Sequence, residues 1–381
     1  MRYLGLSLMW MAMSLGFLGC DQAPPQTQGV AATLQHADSA GFDRVLAPRP
    51  FHFPADHGPH PNFRDEWWYV TGNLEGPDGR RFGFQITFFR HGIRRGKRPG
   101  ASHWAGQDAW MAHFALTDVA NQRYQSFQRI SREAIGLAGA KAQRFRVWLD
   151  DWVLEASKAD PEQWHFRALQ DGIALDLMLI PGKAPVLQGD HGLSQKSAEP
   201  GNASYYYSMT RMHAQGHVSL EGTALPVSGL AWLDREWSTS MLAPDQAGWD
   251  WFSLQLDSGE DLMYFRMRRK NGEEDPLSSG ALIAQDGTSH HVTQADVRLA
   301  SISKWKSPKG YHYPSGWTLW VQPLGRELMI QPVLADQEFR HDATYWEGAV
   351  DVKDPLSGQP LGRGYVELTG YAPDAPKKTP E

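Results

Sequence analysis

WWYVTGNLEGPDGRRFGFQITFFRHG, residues 67–92, reads as two β-rich runs folded back on each other about Gly76, Pro77, Asp78 and Gly79. A Pro-Asp-Gly turn between aromatic and β-branched runs is a hairpin signal, and no helical stripe of comparable length competes with it. Similar runs follow at short intervals: residues 109–119 (AWMAHFALTDV), 122–131, 145–157, 164–172 and 173–181. Each alternates or nearly alternates and ends in Gly, Pro, Asp or Asn, the pattern of an antiparallel meander rather than of strand-helix alternation. Residues 182–201 are polar and rich in Gly and Pro, so they are expected to form a loop, a lid over a cavity mouth.

A second series opens with GWDWFSLQLDSGEDLMYFRMRRKNG, residues 248–272, laid out like the first: paired aromatics, an alternating strand, an acidic Gly turn and a returning strand. The two openings stand 183 positions apart, from Trp68 to Trp251, which reads as an internal repeat at domain scale. Further strands are expected at 280–287, 290–301, 316–325, 326–334, 344–352 and 362–371. The fold class is therefore all-β, as two consecutive antiparallel units. Units of this size suggest barrels, because closure removes exposed strand edges, and a small barrel can enclose one apolar ligand.

The 381 residues carry a formal net charge of -6 and no long run of Lys and Arg, which excludes nucleic acid as a partner. Sixteen Trp, twelve Tyr and sixteen Phe are many for this length; they fill inner sheet faces or line a site for an apolar ligand. Cys20 is the sole cysteine, so disulfides, zinc-thiolate centres and thiol catalysis are not expected in the folded body. An apolar run from Leu4 to Leu18 follows Arg2 and ends in Phe17-Leu18-Gly19-Cys20, which resembles a bacterial lipobox. The run suits a signal-peptide core better than a spanning helix, an ordinary secretory signal or an uncleaved anchor being the alternatives. On this reading residues 1–19 are removed, Cys20 is lipidated, and residues 20–44 tether the body to a membrane. Asp21 after the lipidated residue favours the inner membrane, facing the periplasm. Residues 45–238 and 239–373 would be the two domains, and 374–381 a frayed tail.

Between the two units lies VSGLAWLDREWSTSM, residues 227–241, where Asp234, Arg235 and Glu236 stand between Trp232 and Trp237. On a strand, Trp232, Asp234 and Glu236 share one face while Arg235 and Trp237 take the other. Two acids among indoles are either a catalytic pair or one half of a salt bridge, to an Arg such as Arg211, that pins the domain junction. Asp65 and Glu66 ahead of Trp67 and Trp68 form a second acidic group. His57 and His60 in HGPH lack a third metal ligand nearby, so no metal site is expected. His113 reads as a satisfied core histidine, His290 and His291 as turn residues, and Glu347 and Glu367 as barrel positions. No Gly-x-Ser-x-Gly elbow and no dinucleotide fingerprint occurs.

FRDEWWYVTGNL, YYYSMTRM, GLAWLDREWS, GWDWFSLQL, TYWEGAV and GYVELTGY, in this order, resemble the AttH-like, lipocalin-like family. It includes the bacterial carotenoid hydratases (hydroxyneurosporene synthases) and proteins labelled predicted secreted hydrolases. The resemblance spans about residues 51–371 and implies two lipocalin-like β-barrel domains. It also implies addition of water across a double bond of an isoprenoid or lipid by acid catalysis, with no redox cofactor and no required metal. The acid of the hydratases falls in a Gly-x-Ala-Tyr-x-Asp context, which maps onto Gly229, Ala231, Trp232 and Asp234, with Trp232 in place of the Tyr. A His and a Trp that accompany it map within residues 204–208, where this chain has Tyr205, Tyr206 and Tyr207. The expected site is thus Asp234 as acid and Glu236 as its partner, with Trp232, Tyr205, Tyr207, Trp68 and Glu66 binding substrate. The rival reading is a hydrophobic-ligand carrier without turnover, serving an ABC-type export system.

Overall fold

The computed structural model describes residues 40–95, 106–239 and 242–372; Cys20, Asp21, the leader and the tail lie outside the described residues. The first sheet begins with β1 (Asp65–Glu75), β2 (Arg81–Gly92), β3 (Asp108–Asp118) and β4 (Arg123–Arg132). It continues with β5 (Ala138–Lys141), β6 (Arg146–Leu149), β7 (Trp152–Ala156), β8 (Trp164–Gln170) and β9 (Ile173–Pro181). Two short strands, β10 (Val186–Leu187) and β11 (Leu193–Gln195), precede the long hairpin of β12 (Ala203–Leu220) and β13 (Thr223–Ser238). The ladder runs β4-β3-β2-β1-β13-β12-β9-β8-β7-β6-β5, antiparallel throughout, and curls into a nearly closed barrel. Across the remaining gap Arg129 of β4 ion-pairs with Asp151 and hydrogen-bonds Gln170, while Phe114 packs edge-on against Trp152.

The second sheet holds β14 (Gln246–Leu256), β15 (Asp261–Arg269), β16 (Ser279–Ile283), β17 (Ser289–Thr293) and β18 (Val297–Ser301). A small separate ribbon pairs β19 (Lys304–Lys306) with β20 (His312–Pro314). Then come β21 (Trp317–Val321), β22 (Arg326–Pro332), β23 (Glu338–Arg340), β24 (Thr344–Lys353) and β25 (Pro360–Leu368). Its order is β17-β16-β15-β14-β25-β24-β22-β21-β18, with β23 on β24. Each sheet therefore starts with a hairpin whose first strand pairs with the last strand of the same sheet, β1 with β13 and β14 with β25. This is the internal repeat in three dimensions. Its phase differs by one residue from the sequence alignment: Trp68 faces the barrel core, whereas Trp251 faces the other sheet and Phe252 fills the second core.

Turn chemistry sets the hairpins. Gly79 takes φ 79 and closes the β1–β2 turn with a hydrogen bond to the Gly76 carbonyl. Residues 145–157, which read as one strand, are two, because Asp150 adopts φ 54 and turns the chain between β6 and β7. Residues 290–301 likewise split, at a 3₁₀ turn capped by Thr293, so His290 and His291 lie exposed on edge strand β17 and not in a turn. The expected loop at 182–201 contains β10 and β11, both paired with β12, and Lys183 fixes its start by ion-pairing with Asp261 at 2.8 Å.

The two sheets pack outer face to outer face. Arg81 of β2 pairs with Asp351 of β24 and Arg363 of β25 with Glu75 of β1, clamping one end of the junction. A bulge in β12 between Met209 and Met212 presents both Thr210 and Arg211 to Asp261 of β15. Arg211 thus pins the junction, but through Asp261 rather than through Asp234 or Glu236. The sheets approach closely at Gly83, where an added Cβ would stand 2.5 Å from the Ala349 Cβ. Gly83→Val should therefore lower the unfolding free energy by about 1–3 kcal/mol through overpacking, measured by urea denaturation.

Candidate functional site between the two sheets

Strand parity divides the side chains of β13 and its neighbours into two chemically different sets. Ala231, Leu233 and Trp237 point into the first barrel, and Trp232 points toward the second sheet. In register across the strands, Ser208 opposes Asp234, Tyr206 opposes Glu236 and Ser204 opposes Ser238. Opposed residues share a face, so Ser204, Tyr206 and Ser208 join Asp234 and Glu236 between the sheets.

Asp234 is buried and takes three hydrogen bonds from neutral donors. Trp232 Nε1 reaches Oδ1 at 2.7 Å, Ser208 Oγ reaches Oδ1 at 2.5 Å, and Tyr206 Oη reaches Oδ2 at 2.5 Å. No ion pair to Asp234 occurs among the described residues. Burial therefore prevails over the hydrogen bonds from Ser208, Tyr206 and Trp232 and pushes the carboxyl up to about 7. Trp251 Nε1 donates to Tyr206 Oη at 3.2 Å, and Trp251 stands edge-on to Trp232 and to Tyr69. Tyr69, Tyr206, Trp232, Trp251, Met263, Phe265 and Tyr365 make one apolar cluster between the sheets.

Glu236 behaves differently. Lys196, from the segment before β12, lies 2.8 Å from its Oε1, and Ser204 donates to the same oxygen. Two further acids face this junction from the second sheet. Glu347 of β24 and Glu367 of β25 are direct cross-strand partners, Glu347 fully buried and Glu367 half-buried. Burial raises each above the ordinary carboxyl range, Glu347 further through the charge of Glu367 and Glu367 further through Asp234 and Glu236. Their recurrence at alternate positions with Tyr345, Ala349 and Tyr365 was visible in the sequence; what was invisible is that this face meets another sheet instead of water.

Four expected site residues lie elsewhere. Tyr205 and Tyr207 point into the first barrel, since they oppose Trp237 and Arg235 on β13; the middle tyrosine, Tyr206, is the one that reaches Asp234. Trp68 likewise opposes Arg235 inside the barrel, 3.8 Å from its guanidinium. Glu66 is fully buried there and pairs with Arg235 at 2.5 Å and with Arg90. Burial alone would raise the Glu66 carboxyl, but Arg235 and Arg90 hold it well below the usual range. His60 stacks on Trp237 at 3.7 Å, and His57 Nδ1 sits 2.7 Å from the Tyr207 hydroxyl, so both histidines belong to this barrel-end network. His113 is fully buried, but between the sheets against Phe339 and Tyr345 and not in the barrel core. Its Nδ1 lies 2.8 Å from the Tyr345 hydroxyl while Nε2 makes no hydrogen bond, so the expected satisfied core histidine is only half satisfied. Removing the guanidinium in Arg235→Ala takes from buried Glu66 one of its two guanidinium partners and leaves only Arg90. It should cost about 3–5 kcal/mol of unfolding free energy in chemical denaturation.

With this geometry in place, comparison with known proteins is informative. The AttH-like family profile matches residues 44–371. An AttH structure from Nitrosomonas europaea is 37% identical, with a TM-score of 0.78, and covers 87% of this chain and 100% of its own. Kievitone hydratase from Nectria haematococca is 13% identical, with a TM-score of 0.65, over 87% of this chain and 96% of its own. CghA bound to Sch210972 is also 13% identical, at a TM-score of 0.50, over 86% of this chain and 95% of its own. At that identity the last two likenesses concern the fold alone. No curated protein matches the chain in sequence. The family profile and the Nitrosomonas likeness both span the two sheets and the junction between them, and the chain is a member of the AttH-like family.

Proposed function

We propose that the protein binds an apolar, unsaturated isoprenoid or lipid between its two sheets and hydrates it by acid catalysis, with Asp234 as the acid. The observation that supports this most strongly is a buried carboxyl beside two indoles that receives only neutral hydrogen bonds and titrates near neutrality. A carboxylic acid kept protonated by its surroundings can donate a proton that an exposed one would already have lost. In the protonated acid the Asp234 Oδ2–H donates to Tyr206 Oη. The phenol's own proton, turned to the alkene, is the one transferred while the phenol takes the Asp234 proton in exchange, so the proton leaves through Tyr206, whose oxygen also accepts from Trp251. The alkene π pair takes that proton and leaves a cation on the adjacent carbon. The faces of Trp232 and Trp251 stabilise the cation by about 0.5–2 kcal/mol per ring. Water then adds, and its surplus proton passes to Glu236, which Lys196 and Ser204 orient; return of that proton to Asp234 restores the site. The shared fold with a hydratase agrees with this chemistry.

One observation favours ligand binding without turnover. Three donors saturate Asp234, an arrangement that also serves to hold the junction together. Mass spectrometry of lipid extracted from the purified protein separates the two readings. Hydration requires a water-adduct product with wild type, and a ligand recovered only unchanged supports the carrier.

Asp234→Asn should lower turnover by about 10²–10⁴-fold while the ligand still binds. Wild-type turnover should fall as pH rises through about 7, where the acid loses its proton. Stability should move in the same direction. The Asp234 carboxyl is raised from 3.8 to about 7 in the fold, so the unfolded chain releases its proton first and stability declines between these values as pH rises. Asp234→Asn should flatten that decline in pH-dependent denaturation.

For the anchor, the proposal is that lipidated Cys20 holds the protein at the periplasmic face of a membrane. Cys20→Ser should then shift it from the membrane to the soluble fraction on cell fractionation; continued sedimentation with membranes would count against lipidation.

A further inference from the structure

One group of buried polar atoms between the sheets is used neither by the proposed acid nor by the packing. Both carboxyl oxygens of Glu347 lack a hydrogen-bonding partner, and so do the hydroxyls of Tyr69, Tyr124 and Tyr365. Glu347 is fully buried, Tyr69 is 6% exposed and Tyr365 1%. Tyr69 comes from β1, Tyr124 from β4, Tyr365 from β25 and Glu347 from β24, so four strands of two sheets contribute. The Glu347 carboxyl acts electrostatically on all three phenols, which places them around it. Tyr69 and Tyr345 lie near enough to act on the carboxyl, as Thr117 does on Tyr365 and Ser126 on Tyr124, yet none of these contacts has the geometry of a hydrogen bond. Tyr345 is already engaged with His113 Nδ1 at 2.8 Å. Buried polar groups are nearly always paired, and each one left unpaired is destabilising, so five such atoms in one place mark where a ligand completes the hydrogen bonding.

The chemistry of the ligand follows from the inventory. Phenols and a protonated carboxyl offer O–H donors, and among the described residues the cations at the border are committed, Arg81 to Asp351, Arg363 to Glu75 and Arg340 to Asp336 and Glu338. Burial, with the Glu367 carboxyl opposite, pushes Glu347 toward its protonated form. An anionic ligand would lack a counter-charge here and a cationic one would face neutral acids. A neutral, electron-rich oxygen suits a set of donors without charge. Next to these groups lies the apolar surface of Trp232, Trp251 and Met263, which suits a hydrocarbon body.

We propose that Glu347, Tyr69 and Tyr365 form the polar end of the inter-sheet ligand site and hold the carbonyl oxygen of an otherwise apolar, unsaturated ketone. This rests on the reading of the junction as the ligand site, and narrows the substrate from a plain hydrocarbon to an oxygenated one. It also orients the ligand, with its oxygen toward β24 and β25 and its alkene toward Asp234 on β13.

The test uses the full chain with geranylacetone, an unsaturated isoprenoid ketone, and the matched diene that lacks its carbonyl oxygen. Tryptophan fluorescence titration gives the two dissociation constants, and infrared spectroscopy of the carbonyl-¹³C ketone gives the stretch of the bound carbonyl. The ketone should bind about tenfold more tightly than the diene, with its carbonyl stretch shifted to lower frequency. Tyr69→Phe combined with Tyr365→Phe should abolish the preference and the shift while leaving diene binding as it was. Should that double variant not fold, Glu347→Gln, which is nearly isosteric, should change the bound carbonyl frequency. Equal affinity for the two ligands, binding of neither, or a carbonyl stretch that the variants leave unmoved would overturn the proposal. Its failure is distinguishable from failure of the acid. A ketone bound with a shifted carbonyl and never hydrated by wild type removes Asp234 catalysis and leaves this site standing. Hydration of the diene alongside equal affinities does the reverse.

Discussion

Burial of carboxyl groups without a counter-ion, where two curved sheets meet outer face to outer face, is the constraint around which the structure is organised. In most antiparallel sheets one face covers a core and the other meets water, so acids on the outer face are solvated and ionised. Here the outer faces of β1, β13 and β12 are covered by β14, β24 and β25. Asp234 and Glu347 consequently lose their water, Glu367 loses part of it, and all three are driven toward the protonated form. Ion pairs at the edge of the junction, Arg81 with Asp351 and Arg211 with Asp261, fix the distance between the sheets and so maintain that burial.

A single strand, β13, carries opposite solutions to the same problem on its two faces. Inside the barrel, Arg235 and Glu66 are buried together and neutralise each other as ions, with Trp68 and Trp237 against the guanidinium. Outside, one residue away, Asp234 is buried with hydroxyls and an indole, and burial pushes it toward the protonated form. The ionic face stiffens the barrel end, while the other face carries the proposed acid. Since successive residues alternate between faces, moving the register of β13 by one would exchange these roles.

Much of this was legible in the sequence. The Gly76–Gly79 turn, the alternating runs and the repeat specified an all-β chain of two units, and parity put Trp232, Asp234 and Glu236 on one face before any pairing was known. What parity could not supply was the partner strand. Tyr205 and Tyr207 were expected to line the site because the resemblance maps a His and a Trp of the hydratases within residues 204–208; the in-register pairing of β12 with β13 sends them into the barrel and brings Tyr206 across. Glu347 and Glu367 read as barrel positions from their strands alone. Their burial is a property of sheet-on-sheet packing between strands far apart in sequence, which no local pattern encodes. The phase of the repeat failed for a related reason. The aromatic pair at 67–68 and the aromatics at 249–252 look alike in composition, and composition does not say which of neighbouring aromatics faces the core; Trp68 does in the first sheet and Phe252, not Trp251, in the second.

The protonation state of Asp234 decides whether the junction can act as an acid. Difference infrared spectroscopy of wild type against Asp234→Asn, over a pH series, reads that state directly through the carbonyl stretch of a protonated carboxyl. A protonated-carboxyl band assignable to Asp234 should be present at pH 6 and should give way to a carboxylate band as the pH passes about 7. A carboxylate band already complete near pH 5 would show an ionised Asp234 at working pH and would contradict its role as the acid.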